Sequence, residues 1–212
     1  MAYQDAGKEA QKRAERLAAA VNSALEAHYK TTKTKNHLRL SISVAHGAGG
    51  VQRTPEEQAE YVLKGTSWTC NSAHMADGAK HILVKQGNVL TWNMNQVAGQ
   101  KEAFAVFKKA WNKAMAGQDL RNFTGGKDFA YTSSDPLHME LPDARLRDND
   151  PRVIRALEVY AKATRIEGRA KNTPFETAKG SQFQKDWLKT YDANLAKAKA
   201  ADQAKAAAKK VP

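Results

Sequence analysis

Six histidines, His28, His37, His46, His74, His81 and His138, are the side chains best suited to hold a metal ion. Three stand in contexts that suggest chemistry. In Asn71-Ser72-Ala73-His74-Met75-Ala76-Asp77-Gly78-Ala79-Lys80-His81-Ile82, two imidazoles lie seven residues apart with a glycine between them. That spacing suits a loop that turns back so both rings face one cavity, with His81 opening a strand. In Ser134-Asp135-Pro136-Leu137-His138-Met139-Glu140-Leu141, His138 follows an acid by three and heads a short apolar stretch. A catalytic zinc takes three protein ligands and leaves one position open for water. It also needs a carboxylate to receive that water's proton. Two loops carrying His74, His81, His138 and Asp135 contain such a set, although any chain with six histidines offers triplets. His28, His37 and His46 read as structural or solvent-facing. The single cysteine, Cys70, excludes an internal disulfide and reads as a small, partly buried residue, since no signature of a catalytic thiol surrounds it.

Elements that would position these side chains can be read from periodicity. Residues 1–31 form one amphipathic helix, with Ala10, Ala14, Leu17, Ala18, Val21, Leu25 and His28 recurring every three or four residues. Leu38, Leu40, Ile42 and Val44 alternate with polar residues as a half-buried strand does, and Gly47, Gly49 and Gly50 break it. Thr54-Pro55-Glu56-Glu57 starts a helix, with threonine as cap and proline at the first position, and Gly65 stops it. His81–Val84 and Val89–Trp92 flank Lys85-Gln86-Gly87-Asn88 as a hairpin. Residues 101–116 form a helix with Phe104, Phe107, Trp111 and Met115 on one face, an arrangement that suits core packing.

Composition separates three zones: an N-terminal helix over 1–31, a mixed domain over 32–142, and a basic helical extension over 143–212. Lys and Arg number 34 against 22 Asp and Glu, a net charge of +12. Residues 151–212 hold 14 of the basic residues and 6 of the acidic ones, so most of the excess sits there. Such an excess attracts polyanions: nucleic acid, acidic wall polymers or membrane surfaces. Helices are expected from Asp150-Pro151 to Gly168 and over 174–192. The last twenty residues have almost no large apolar side chains and are expected as a lone solvated helix or a frayed tail. The first thirty residues lack the apolar core of a secretory signal, and no run is long enough to span a bilayer, so the expectation is a chain made in the cytosol.

Taken in order, several runs resemble one family: Arg53-Thr54-Pro55-Glu56-Glu57-Gln58-Ala59-Glu60, a helix ending at Gly65, Asn71-Ser72-Ala73-His74, Gly87-Asn88 before Trp92, and Ser134 to Leu141. They look like the D-alanyl-D-alanine carboxypeptidase and L-alanyl-D-glutamate endopeptidase family, the VanY-type zinc peptidases found among bacteriophage endolysins. The resemblance covers residues 37–142. It implies an α+β fold with a small antiparallel sheet carrying the metal, and hydrolysis of peptidoglycan stem peptides. Carried over by position, His74 and His138 are metal ligands and Asp135 is the general base. Arg53 and Ser72 hold the carboxylate end of the substrate, a task for which a guanidinium fork is well shaped. The chain departs from the family pattern in two places. His81 stands where the family has a ligand aspartate, and Asp77 stands where it has a glycine. Three histidines bind zinc in unrelated enzymes. Asp77 is then a candidate ligand, or a partner that orients an imidazole; Glu140 is a candidate for the same outer role or a plain sheet residue.

Two rivals stand beside the zinc peptidase. One is a virion protein that keeps the fold without catalysis, its tail contacting DNA or other virion proteins. The other is a nucleic-acid binder whose Lys/Ala helix would grip phosphates without sequence preference. The peptidase reading expects zinc as cofactor and peptidoglycan as partner, with the protein reaching the wall as a lysin or as part of a particle.

Overall fold

Alternation in Leu40-Ser41-Ile42-Ser43-Val44 sends three aliphatic side chains to one face of an extended chain, and that face becomes the floor of a core. The computed structural model describes residues 3–45, 52–87, 89–91, 101–118, 120, 138–142 and 144–208. By contacts the chain divides into two units: residues 1–53 with 73–145, and residues 54–72 with 146–212.

In the first unit, α1 (Tyr3–Thr32) lies along strand β1 (Leu40–Val44) and packs against helix α3 (Lys101–Gly117). Its buried stripe runs through Ala10, Ala14, Leu17, Ala18, Val21 and Leu25 and ends on Tyr29, not on His28. Tyr29 and Asn22 then complete the outer edge of β1. The Tyr29 hydroxyl accepts from Leu40 N at 2.6 Å and donates to Leu40 O at 3.3 Å. The Asn22 amide accepts from Ile42 N at 2.8 Å and donates to Ile42 O at 2.9 Å. Backbone groups that an edge strand would leave to solvent or to another chain are thus bonded to side chains of a helix. Phe107, Trp111 and Met115 of α3 are buried in this core; the side chain of Phe104 lies outside the described set.

The sheet is antiparallel and centred on β2 (Ala79–Gln86). β1 pairs with it in the register Leu40↔Gln86, Ile42↔Val84 and Val44↔Ile82. β3 (Val89–Thr91) pairs with its second half. β4 (His138–Glu140) pairs with its first half: Ala79↔Glu140, Lys80↔Met139 and His81↔His138. Leu40, Ile42, Val44, Ile82, Val84 and Met139 join the same buried core as α1 and α3. Three sequence expectations are corrected here. Leu38 is not in the strand: Asn36–Leu38 is a 3-10 turn, so β1 begins two residues later. The hairpin connection is shorter than four residues, because Lys85 and Gln86 continue β2 and bond across to Leu90 and Val89. β2 also begins two residues earlier, so His81 is its third residue.

The second unit is helical. α2 (Pro55–Leu63) begins as its sequence grammar requires: Thr54 Oγ1 accepts from Glu57 N at 3.2 Å, and Glu57 Oε2 accepts from Thr54 N at 2.8 Å. Gly65, at φ +73°, ends it in a conformation that costs a residue with a Cβ. α2 packs on α4 (Pro151–Arg165), whose first turn Asp150 caps through Arg152 N at 2.9 Å. The single helical segment expected over 174–192 is broken at Gly180 into a π-helical turn, Phe175–Lys179, and α5 (Gln182–Ala208). A Cβ on residue 180 would overlap the Phe175 carbonyl. Arg165 closes this unit, donating to Glu176 at 2.6 Å and to Asp192 at 2.9 Å. The tail expected to be a lone helix or frayed is helical through Ala208, with residues 196–206 exposed.

The division into units cuts across the three compositional zones. α1 shares a core with the sheet instead of standing apart, and α2 belongs with the C-terminal helices. Among the described residues no helix is long and apolar enough to cross a membrane.

Candidate functional site

One face of β2 carries Lys80, Ile82 and Val84 toward the core; the alternate residues, Ala79, His81 and Leu83, occupy the other. His81 therefore sits away from the aliphatic floor, half-buried. His74 comes from the 3-10 turn Ala73–Ala76 and is 3% exposed. The two imidazoles meet: Nε2 of His74 lies 3.0 Å from Nε2 of His81, with the rings nearly perpendicular at 82°. The loop expected to fold back on itself does so.

Backbone bonds fix both residues. The His74 carbonyl accepts from Arg53 N at 3.0 Å and from Asp77 N at 3.1 Å. The His81 carbonyl accepts from Ala45 N at 2.8 Å. His138 is the residue in β4 registered directly opposite His81, and Glu140, two residues on, is registered opposite Ala79. Glu140 is 2% exposed and its carboxylate lies 3.4 Å from Arg145 Nε. Positions 81, 138 and 140 thus share one face of the sheet.

Asp77 turns the chain between the two histidines at φ +54°, a left-handed conformation in which Asp and Asn are the favoured non-glycine residues. Position 77 is therefore one where the backbone favours glycine, aspartate or asparagine. Its carboxylate accepts from Lys80 Nζ at 2.6 Å, and the Lys80 side chain is only 6% exposed. Gly78 N donates to Ala73 O at 3.0 Å, and Gly78 O accepts from Leu141 N at 3.0 Å. A shallow groove of about 550 Å³ lies between the first turns of α1 and the Asp77–Lys80 pair; neither His74 nor His81 lines it. Lys80 was missed by sequence reasoning, yet its position carried a signal: it occupies an inward place in the alternation that Ile82 and Val84 continue.

Arg53 is half-buried at the end of the first unit's opening segment, its amide bound to His74 as above. Ser72, also half-buried, ends the Thr54–Ser72 segment of the second unit. Asp135 and His46 lie outside the described residues, as does the side chain of His138. His37 is exposed, and His28 is half-buried with its ring edge-on to Tyr29 at 5.6 Å. Cys70 is fully buried, and burial pushes its thiol far above the range in which a thiolate forms.

At 3.0 Å the two ring nitrogens are within hydrogen-bond distance, one donating to the other, and their spacing is also near that of two ligands on one ion. Two Zn–N bonds of about 2.0–2.1 Å at a tetrahedral angle hold their nitrogens about 3.3 Å apart, close to the spacing found here. Among the described residues, however, no three His, Cys, Asp or Glu side chains converge as a complete metal set. No family model, curated protein or solved structure matches this chain.

Proposed function

We propose that this protein is a zinc-dependent peptidase that hydrolyses peptidoglycan stem peptides. The observation that carries the reading is the His74–His81 pair, Nε2 to Nε2 at 3.0 Å, with His138 in register opposite His81. Residues opposed across an antiparallel pair have Cβ atoms about 4.5–5.5 Å apart on one face, so position 138 stands on the same face of the sheet as His81. The order of motifs around Arg53, His74 and Asp135 resembles the VanY-type peptidases and supplies the substrate class.

His74, His81 and His138 would hold the ion. Bound there, zinc supplies Lewis-acid polarisation of the scissile carbonyl and a lowered pKa for attacking water. Asp135, three residues before His138, would accept a proton from the attacking water and pass it to the leaving amine. Arg53, tied by its amide to the His74 carbonyl, offers its guanidinium to the carboxylate end of the peptide. His81 in place of aspartate leaves the site one unit more positive than the family pattern, which favours a more acidic water. The exposed, lysine-bearing end of α5 supports an ancillary role, holding the protein on an anionic polymer by contacts that weaken with salt.

The test is release of soluble peptides from purified peptidoglycan. Activity is expected to require stoichiometric zinc, to vanish on chelation, and to fall about 10²–10⁴-fold in Asp135→Ala. Full activity in that variant would remove Asp135 from the mechanism. A zinc-loaded protein that leaves wall of several chemotypes intact would remove the substrate class, and a protein without zinc would favour a virion scaffold.

A further inference from the structure

The geometry points to α1 as a clamp on the metal loop: Gly7 admits the Asp77 carboxylate against the helix, and the Asp77–Lys80 pair so held sets the spacing of His74 and His81. The inference rests on the zinc reading of that pair and adds to it residues that touch neither metal nor substrate.

Three features of the loop converge on residue 77. It lies between the two histidines, three after His74 and four before His81. Its backbone is in the left-handed region, so the turn stores a conformation that something must hold. Its carboxylate is held on both sides. Lys80 Nζ binds Oδ1 at 2.6 Å, and Oδ2 faces the α1 backbone at Gly7 so closely that a Cβ there would overlap it and stand 2.8 Å from Cγ. At this buried position of α1, any side chain would displace the Asp77 carboxylate from where it stands. Lys80 carries the constraint onward. Its ammonium is held at the inward face of β2, next in the chain to His81, so Asp77 fixes the start of the strand from which His81 projects. The far side of the same loop is also closed: a Cβ on Gly78 would overlap that of Ala144, and Gly78 O binds Leu141 N beyond β4. The loop bearing two candidate ligands is therefore wedged between α1 and the strand bearing the third.

Groups that orient metal ligands from outside typically change affinity by about 10–100-fold when altered. Gly7→Ala drives a methyl into the Asp77 carboxylate and should weaken zinc binding by that factor in the full chain, measured by competition with a chromogenic chelator. Asp77→Ala should do the same. Asp77→Asn keeps the left-handed preference and the size but loses the charge, and should fall between wild type and Asp77→Ala. Far-ultraviolet circular dichroism and a cooperative thermal transition identify variants that have simply failed to fold. Gly117→Ala, at a glycine whose Cβ would meet nothing within 4 Å, serves as control and should bind as wild type does. A second readout needs no metal. In the zinc-free protein, Gly7→Ala should shift the imidazole resonances of His74 and His81 and leave those of His28 and His37 in place. Folded Gly7→Ala and Asp77→Ala proteins with zinc affinity within threefold of wild type would overturn the clamp. If the wild-type chain binds no zinc, the metal reading fails separately, and unmoved His74 and His81 resonances in Gly7→Ala would overturn the clamp on its own.

Discussion

Replacing Tyr29 with phenylalanine removes one oxygen and exposes how the sheet is braced. The hydroxyl accepts from Leu40 N at 2.6 Å and donates to Leu40 O at 3.3 Å, and ring and partner are both buried. Phenylalanine fills the same volume, so packing is conserved while both backbone groups of Leu40 lose their partner away from water. An orphaned buried N–H costs about 1–3 kcal/mol, and the longer carbonyl contact adds less, for a total of about 2–4 kcal/mol. The two units need not unfold together, so a global melting curve would blur the effect. Amide hydrogen exchange at Leu40 reads it locally: the same energy corresponds to roughly a 30- to 700-fold rise in the opening equilibrium. The amide of Ile42, bound by Asn22, should change less. Alkaline pH gives an independent check. Burial raises the Tyr29 phenol above its ordinary value, with the Leu40 bond working in the other direction. A folded-state value above the unfolded one means this contribution is complete below about pH 10 and is lost as pH rises through the folded value. Tyr29→Phe should therefore remove part of the wild-type decline above pH 10. Leu40 exchange within threefold of wild type would refute the claim that α1 side chains complete the edge of β1.

Arg165→Ala should cost about 2–4 kcal/mol, somewhat below the loss for a fully buried pair because Asp192 is 45% exposed. Exchange at amides of α4 and α5 measures it, and Arg165→Lys should not restore the loss, since one ammonium cannot serve both carboxylates in the same fork geometry. Asp150→Ala removes the cap of α4 and should cost about 1 kcal/mol at pH 7. Arg152 holds the Asp150 carboxyl below its usual range, against an opposing push from burial. The cap's contribution is thus present above the unfolded value and lost as pH falls through the folded one, so the gap between wild type and variant in urea titrations should close progressively below about pH 4. Cys70 should resist a disulfide exchange reagent in the folded protein and react only on unfolding, because burial suppresses its thiolate.

How much of this was legible depended on whether the signal was local. The capping grammar of Thr54-Pro55-Glu56-Glu57, the strand alternation around Ile42 and the aromatic face of α3 are written in neighbouring residues, and each element is present, with β1 starting two residues later than the alternation suggests. The return of His74 onto His81 was also legible, since seven residues with a glycine leave few ways to fold back. What could not be read was which elements share a core. Composition grouped α2 with the sheet because it lies between sheet segments, whereas its buried side packs on α4, almost a hundred residues away. The Gly7–Asp77 contact is of the same kind: glycine in an Ala-rich helix looks neutral until the fold brings a carboxylate to it. The sequence offers Asp77 as a candidate ligand or an imidazole-orienting partner, and Glu140 as such a partner or a plain sheet residue. Asp77 binds Lys80 and Glu140 approaches Arg145, so the contacts seen for each are with cations.

The proposed peptidase requires three imidazoles sharing one zinc ion. X-ray absorption at the zinc edge, on full-length protein purified without a histidine tag and matched to elemental analysis, measures that directly. The expected result is one zinc per chain with a nitrogen and oxygen shell at about 2.0–2.1 Å, imidazole scattering from three rings, and no sulfur. His81→Ala should lower both the zinc content and the imidazole count. Zinc well below one equivalent, or a full equivalent unchanged by His81→Ala, would contradict it.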